Sequence, residues 1–200
     1  TCTGCGLCAA ACPTGAIEMN ISTHDSVIGT IHTLNTESVS AVNTEVADAN
    51  PAEAPLSVMI FACPQCRDTT HEVCDAKSGQ VSANVQTRVV DVPCSGRVDT
   101  LQLMHAFESG ADAVMVAGCQ PGECFFNTGN LHVTQRVKRI ADWLDGCGLE
   151  RDRVHMMHLA PGDHDSLTHA LDDLTKKTGI CGPSPLRRTP SSPTPASTSR

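Results

Sequence analysis

Ala113-Val114-Met115-Val116-Ala117-Gly118-Cys119-Gln120-Pro121-Gly122-Glu123-Cys124 is the stretch whose reading decides the fold. An uncharged apolar run empties into a loop with two thiols, the pattern of a buried strand delivering Cys119 and Cys124 to one place. Leu56 to Ala62 runs the same way into Cys63, and Arg88 to Val92 into Cys94. If these strands lie parallel, their cysteines meet at one edge of a sheet. That edge is expected to hold a metal centre.

Working outward, a fourth apolar run spans Val154 to Leu159, and helical stretches lie between the strands. Asp99 is placed to cap a helix over Thr100 to Glu108, where Leu101, Met104 and Phe107 fall on one face and Ser109-Gly110 ends it. Leu131 to Asp145 sets Val133, Val137, Ile140 and Leu144 at spacings of three and four, with Gly146 as C-cap. A last helix is expected from Asp163 to Lys177. Strand and helix in alternation predict an α/β fold over residues 56–179: a small open parallel sheet with helices on both faces.

Ahead of it, residues 2–13 read C-x2-C-x2-C-x3-C-P, with Cys2, Cys5, Cys8, Cys12 and Pro13, and resemble the bacterial ferredoxin motif for a 4Fe-4S cluster. Two-residue spacers let successive thiolates wrap one corner of a cubane, and Gly4 and Gly6 permit the turns that aim them. Cys12 has two readings, because in two-cluster ferredoxins the fourth cysteine of such a run ligates the other cluster. A ferredoxin-like iron–sulfur segment is therefore assigned to residues 1–21. The chain opens on Thr1-Cys2, and it is expected to be a fragment of a longer protein.

Residues 22–55 are rich in Ser, Thr, Ala, Asn and acids. They read as a flexible linker that tethers the cluster, with a short strand at Val27 to Ile31. Residues 180–200 read as a disordered tail.

Composition narrows the function. A net charge of -8 disfavours nucleic acid or an anionic membrane surface, and with no Tyr an aromatic platform for bases is not expected. No apolar run reaches the ~20 residues that span a bilayer, so a soluble, cytoplasmic protein is expected. The twelve cysteines are grouped rather than spread, which favours metal or redox sites over a disulfide framework.

In open parallel sheets the functional crevice lies beyond the carboxyl ends of the strands. Cys63, Cys94 and Cys119 stand at such ends, and Cys66 and Cys124 follow within a few residues. Isolated buried cysteines do not explain that coincidence. Thiolates suit zinc or an iron–sulfur cluster equally. The ferredoxin motif in the same chain favours a 2Fe-2S cluster, which needs four of the five cysteines. Two rivals stand beside it: a thioredoxin-like dithiol built on Cys63-Pro64-Gln65-Cys66, and a zinc-stabilised interaction module.

Three motifs together carry a family resemblance: Phe61-Ala62-Cys63-x2-Cys66, Val92-Pro93-Cys94-Ser95-Gly96-Arg97-Val98-Asp99, and Ala106 through Cys124 followed by Gly129-Asn130 and a basic helix at Arg136 to Arg139. The chain resembles the delta subunit of methyl-viologen-reducing hydrogenase over Leu56 to Leu159. That resemblance implies a 2Fe-2S cluster and electron transfer between a hydrogenase, or a formate dehydrogenase, and the flavoprotein of heterodisulfide reductase. Thr1 to Ile17 resembles the end of that flavoprotein, to which this domain is found fused. The family's loop usually reads Gly-Cys-His-Pro-Gly-Asp-Cys-His-Tyr, whereas Gln120, Glu123, Phe125 and Phe126 stand here. These departures bear on partner contacts and potential, since every thiol is kept.

The expected role is an electron-transfer component rather than a catalyst on its own. Arg97 is a candidate for tuning the cluster or docking a partner, and Arg136, Lys138 and Arg139 read as a solvated face or a docking patch. Cys74, Cys147 and Cys181 lack partners at ligand spacing, and His164, Asp165 and His169 do not share one helical face.

Overall fold

The computed structural model describes residues 2–42, 55–75 and 85–187. Strands β1 (Leu56–Ala62), β2 (Val85–Asp91), β3 (Ala113–Cys119) and β4 (Val154–Leu159) form one sheet in the order β2-β1-β3-β4, each neighbouring pair parallel. The uncharged strands β1 and β3 take the centre and are buried along their whole length. β2 and β4, which carry Arg88, Asp91, His155 and His158, take the edges. Ala62 pairs with both Asp91 and Ala117, so β1 and β2 end level and β3 runs two residues further to Cys119.

Alternating side chains feed two cores. Met59, Phe61, Val114 and Val116 face helices α2 (His24–Val42), α4 (Thr100–Glu108) and α5 (Gly129–Gly146). Val58, Ile60, Ala113, Met115 and Ala117 face α3 (Pro64–Cys74) and α6 (His164–Cys181). The expected open parallel sheet covered on both faces is the fold found.

Local signals act as read, with adjustments. Asp99 caps α4, accepting from the Gln102 N–H at 2.8 Å, while the Gln102 side chain accepts from the Asp99 N–H at 3.1 Å. The buried stripe of α4 is Leu103, Ala106 and Phe107, and Leu101 is 59% exposed. Phe107 has inward neighbours three and four residues back, and the chain turns Leu103 rather than Leu101 into the core. Val133, Val137, Ile140 and Leu144 are buried as their spacing predicts. Gly146 is the last residue of α5 rather than its cap, which is Cys147. Helix α6 continues to Cys181, past the expected Lys177.

Two readings are corrected. The segment taken as linker contains α2, so the strand expected at Val27 to Ile31 is helix. Val27 and Ile31 sit one turn apart, both are buried, and Leu34 follows on the same face. Thr23 caps this helix, accepting from the Ser26 N–H at 3.1 Å. The start of the expected tail is also packed: Ser184 is buried and its N–H donates to Asp112 Oδ1 at 2.7 Å. The remaining linker and tail residues, 43–54 and 188–200, lie outside the described residues.

Candidate metal centre

Each thiol reaches the sheet edge by a different local device. Cys63 leaves β1 as the N-cap of α3, with Pro64 fixing the first helical turn. The Cys66 N–H donates to the Cys63 carbonyl at 2.9 Å, which folds both thiols to one side. Cys119 closes β3. The Cys63 sulfur lies 3.6 Å from Cys66 and 3.5 Å from Cys119, and the three sulfurs all fall within 4.8 Å of one another. Cys94 and Cys124 are buried beside this triad in the same core. Both face Gly129, where an added Cβ would lie 2.5 Å from the Cys94 sulfur and 3.5 Å from that of Cys124.

A shell of hydrogen bonds holds the loops. The Asn130 side-chain amide, fully buried, donates to the carbonyls of Cys119 and Gln120 at 3.0 and 2.9 Å. His158 Nδ1 lies 3.0 Å from the Cys119 carbonyl, and Gln120 Nε2 donates to the His158 carbonyl at 3.3 Å. Arg136 donates from one nitrogen to the carbonyls of Gly96 and Val98 at 2.7 and 2.9 Å, bracing the turn after Cys94. The expected solvated face therefore holds only for Lys138 and Arg139, which are exposed; Arg136 is 9% exposed. Neither Asn130 nor His158 was assigned a role by sequence reasoning. The signal for Asn130 was an amide in the first turn of a helix directly after the cysteine loop.

The buried thiols differ in acidity. Burial pushes the Cys94 and Cys119 thiols up to about 12, so they do not ionise unaided at neutral pH. Cys63 runs the other way, held down first by its hydrogen bond with Cys66, whose own thiol is pushed up in return. One thiolate among buried thiols is a set that a thiophilic metal completes by displacing the remaining protons. Ser95 Oγ and Arg97 Nε, in the turn after Cys94, are buried without a hydrogen-bond partner among the described residues. Cys63, Cys66 and Cys119 thus fit a metal ion by donor type, burial and spacing, with Cys94 and Cys124 buried in the same core.

The N-terminal motif is built from two left-handed glycines, Gly4 (φ 78°) and Gly6 (φ 76°), around the short helix α1 (Leu7–Ala11). Cys2 and Cys8 are exposed, and Cys12 is half-buried with its sulfur 3.4 Å from Thr14 Oγ1. That hydrogen bond, with backbone N–H groups behind it, lowers the Cys12 thiol to about 7. Cys5 is half-buried and packs against the core that holds the α/β thiols. A charge on Cys5 is among the influences that raise Cys94, after burial itself. The two cysteine sets are therefore neighbours.

Elsewhere, Cys74 packs at the margin of the thiol core, Cys147 is exposed and Cys181 ends α6. His164 pairs with Glu72 at 2.5 Å and does not join Asp165 and His169 in a metal site. No helix among the described residues is long and apolar enough to cross a membrane.

The fold is an open parallel α/β sheet with five buried thiols at its carboxyl edge, behind a four-cysteine motif. Residues 58–180 match the family described as methyl-viologen-reducing hydrogenase, delta subunit, and the chain belongs to that family. Residues 1–18 match the 4Fe-4S binding domain. The chain is 36% identical over 131 residues to the vhu iron-sulfur subunit of F420-non-reducing hydrogenase from Methanococcus voltae, covering 66% of this chain and 96% of that one. The protein of the same name from Methanocaldococcus jannaschii is 34% identical over 130 residues, covering 65% and 96%. A subunit of the ferredoxin/F(420)H(2)-dependent CoB-CoM heterodisulfide reductase of Methanosarcina acetivorans is 25% identical over 137 residues, covering 68% of this chain and 17% of that one. These relatives are iron–sulfur and reductase subunits, and the chain is kin to both.

Proposed function

We propose that the chain is an iron–sulfur electron-transfer unit, passing electrons between a hydrogenase, or a formate dehydrogenase, and a heterodisulfide reductase-type flavoprotein in the cytoplasm. Cys2, Cys5, Cys8 and Cys12 would hold a 4Fe-4S cluster, and four of Cys63, Cys66, Cys94, Cys119 and Cys124 a 2Fe-2S cluster. When bound, such clusters supply one-electron chemistry. The chain's own part is to bury the thiols, exclude water and aim backbone and side-chain donors at the cysteine loops.

The observation that carries this reading is the seating of Cys5 against the core that contains Cys94, Cys119 and Cys124. Two thiolate sets packed together suit relay, whereas a structural zinc site gains nothing from such a neighbour. Grouping also favours two irons over one ion. Cys63, Cys66 and Cys119 form one knot, and Cys94 and Cys124 form a second group that meets at Gly129. A centre of two irons takes a pair from each group and leaves one thiol of the knot spare.

Stopped-flow mixing tests the role. Chain loaded anaerobically with iron and sulfide should lose visible absorbance when mixed with a reduced hydrogenase, and recover it when the flavoprotein is added. Loaded chain that neither accepts nor returns electrons would refute the relay.

A further inference from the structure

Arg97 joins the two cysteine sets. Its residue is 2% exposed, and its guanidinium divides between two parts of the chain. Nη1 donates to Asp99 Oδ2 at 3.3 Å, and Nη2 donates to the Ser22 carbonyl at 3.3 Å. Ser22, also buried, lies between the N-terminal motif and α2. The same Asp99 oxygen meets His24 Nδ1 at 3.0 Å, while its other oxygen caps α4. One guanidinium and one carboxylate thus tie residues 22–24 to the turn that follows Cys94.

The aliphatic part of the same side chain walls the motif itself. A Cβ on Gly6 would lie 2.5 Å from Arg97 Cδ and would collide with Met19 Sδ, so the backbone between Cys5 and Cys8 presses directly on Arg97. Helix α1 packs on the turn Ser95–Arg97. From behind, Arg136 fixes that turn through the Gly96 and Val98 carbonyls. A tethered arm would show none of this. The motif is seated, and the residue that seats it stands three positions after Cys94.

We infer that Arg97 is the positioning residue that docks the N-terminal cysteine segment onto the α/β thiol edge and holds Cys5 beside Cys94. One-electron exchange between the two centres then occurs inside the chain, one centre oxidised by one electron as the other is reduced by one, with no bond made or broken. This rests on the reading above that both cysteine sets hold iron–sulfur clusters.

The test uses the full chain loaded anaerobically with iron and sulfide, fully reduced, and read by electron paramagnetic resonance. The unaltered chain should show magnetic interaction between its two centres. Arg97→Ala should abolish that interaction while both centres keep their iron and their own potentials. Arg97→Lys keeps the charge but lacks the fork, and it should recover only part of the interaction. Full interaction in Arg97→Ala, or two loaded centres without interaction in the unaltered chain, would overturn the assignment.

A second readout works whether or not both centres load. Amide hydrogen exchange over residues 6–22 should quicken at least tenfold in Arg97→Ala, with α/β amides unchanged. Should Arg97→Ala fail to fold, Arg97→Lys serves the same measurement with a smaller expected increase. Unchanged exchange overturns the docking role. Failure of one centre to load overturns the metal reading instead, so the two failures are told apart.

Discussion

Gly96 and Gly129 meet backbone to backbone: a Cβ on Gly96 would lie 2.7 Å from the Gly129 Cα, and one on Gly129 would lie 2.5 Å from the Cys94 sulfur. The turn after β2 and the first turn of α5 close on each other because neither residue has a side chain. Alanine ordinarily favours a helix over glycine by about 1 kcal/mol. At Gly129 the clash decides the sign, because crowding a packed site costs about 1–3 kcal/mol. Gly129→Ala should lower the metal content of the α/β site while the N-terminal site loads normally. Equal loading of both sites in this variant, by metal analysis, would contradict the arrangement.

Arg136 braces the Cys94 turn from behind, and burial works against its charge, lowering its pKa. Hydrogen bonds to a charged group contribute about 1.5–3 kcal/mol. Arg136→Met keeps the stem and removes the donors, so it should destabilise the fold by roughly that amount. Urea unfolding measures it, and a change within scatter would mean the turn holds without Arg136.

The fully buried Asp112 ties three segments at the opposite end of the sheet. It accepts from the Ser57 N–H at 2.8 Å and the Ser184 N–H at 2.7 Å, and Arg187 lies 3.4 Å away. Breaking a buried charged network by removing one partner costs about 3–5 kcal/mol. Asp112→Ala should lose stability on that scale with little effect on metal binding at the far edge. Loss of metal without loss of stability would show that the two ends are coupled otherwise.

Chelated protein should respond to alkali. Cys94 and Cys119 titrate near 12 when folded, above the ordinary 9.0, so the fold favours their neutral forms. Their contribution is complete below about pH 9 and is lost as pH rises from there toward about 12. Cys63, lowered, acts in the opposite sense and at lower pH. Urea midpoints of chelated protein should therefore fall between about pH 8 and about pH 10.5, and less so in Cys94→Ala. An unchanged midpoint would mean that these thiols are hydrated.

The centre of the fold and the thiols were legible because they depend on short-range pattern. Uncharged runs ending at Cys63 and Cys119 had few other readings, and β1 and β3 are the buried central strands. Helix α2 was missed although Val27, Ile31 and Leu34 recur at helical spacing on a face that packs on the core. Its capping by Thr23 was visible, yet a Ser- and Thr-rich composition outweighed it. Long-range partners left no such trace. Nothing local to Arg97 foretells Ser22, 75 positions away. Arg136 looked solvated because a basic helix face usually is, and only the approach of the Gly96 turn buries it.

Metal and sulfide analysis of anaerobically loaded chain tests the central claim most directly. A 4Fe-4S and a 2Fe-2S cluster together predict about six iron and about six acid-labile sulfide per chain, and Cys94→Ala should remove about two of each. Bound zinc without sulfide at the α/β site, or iron that does not fall in Cys94→Ala, would contradict it.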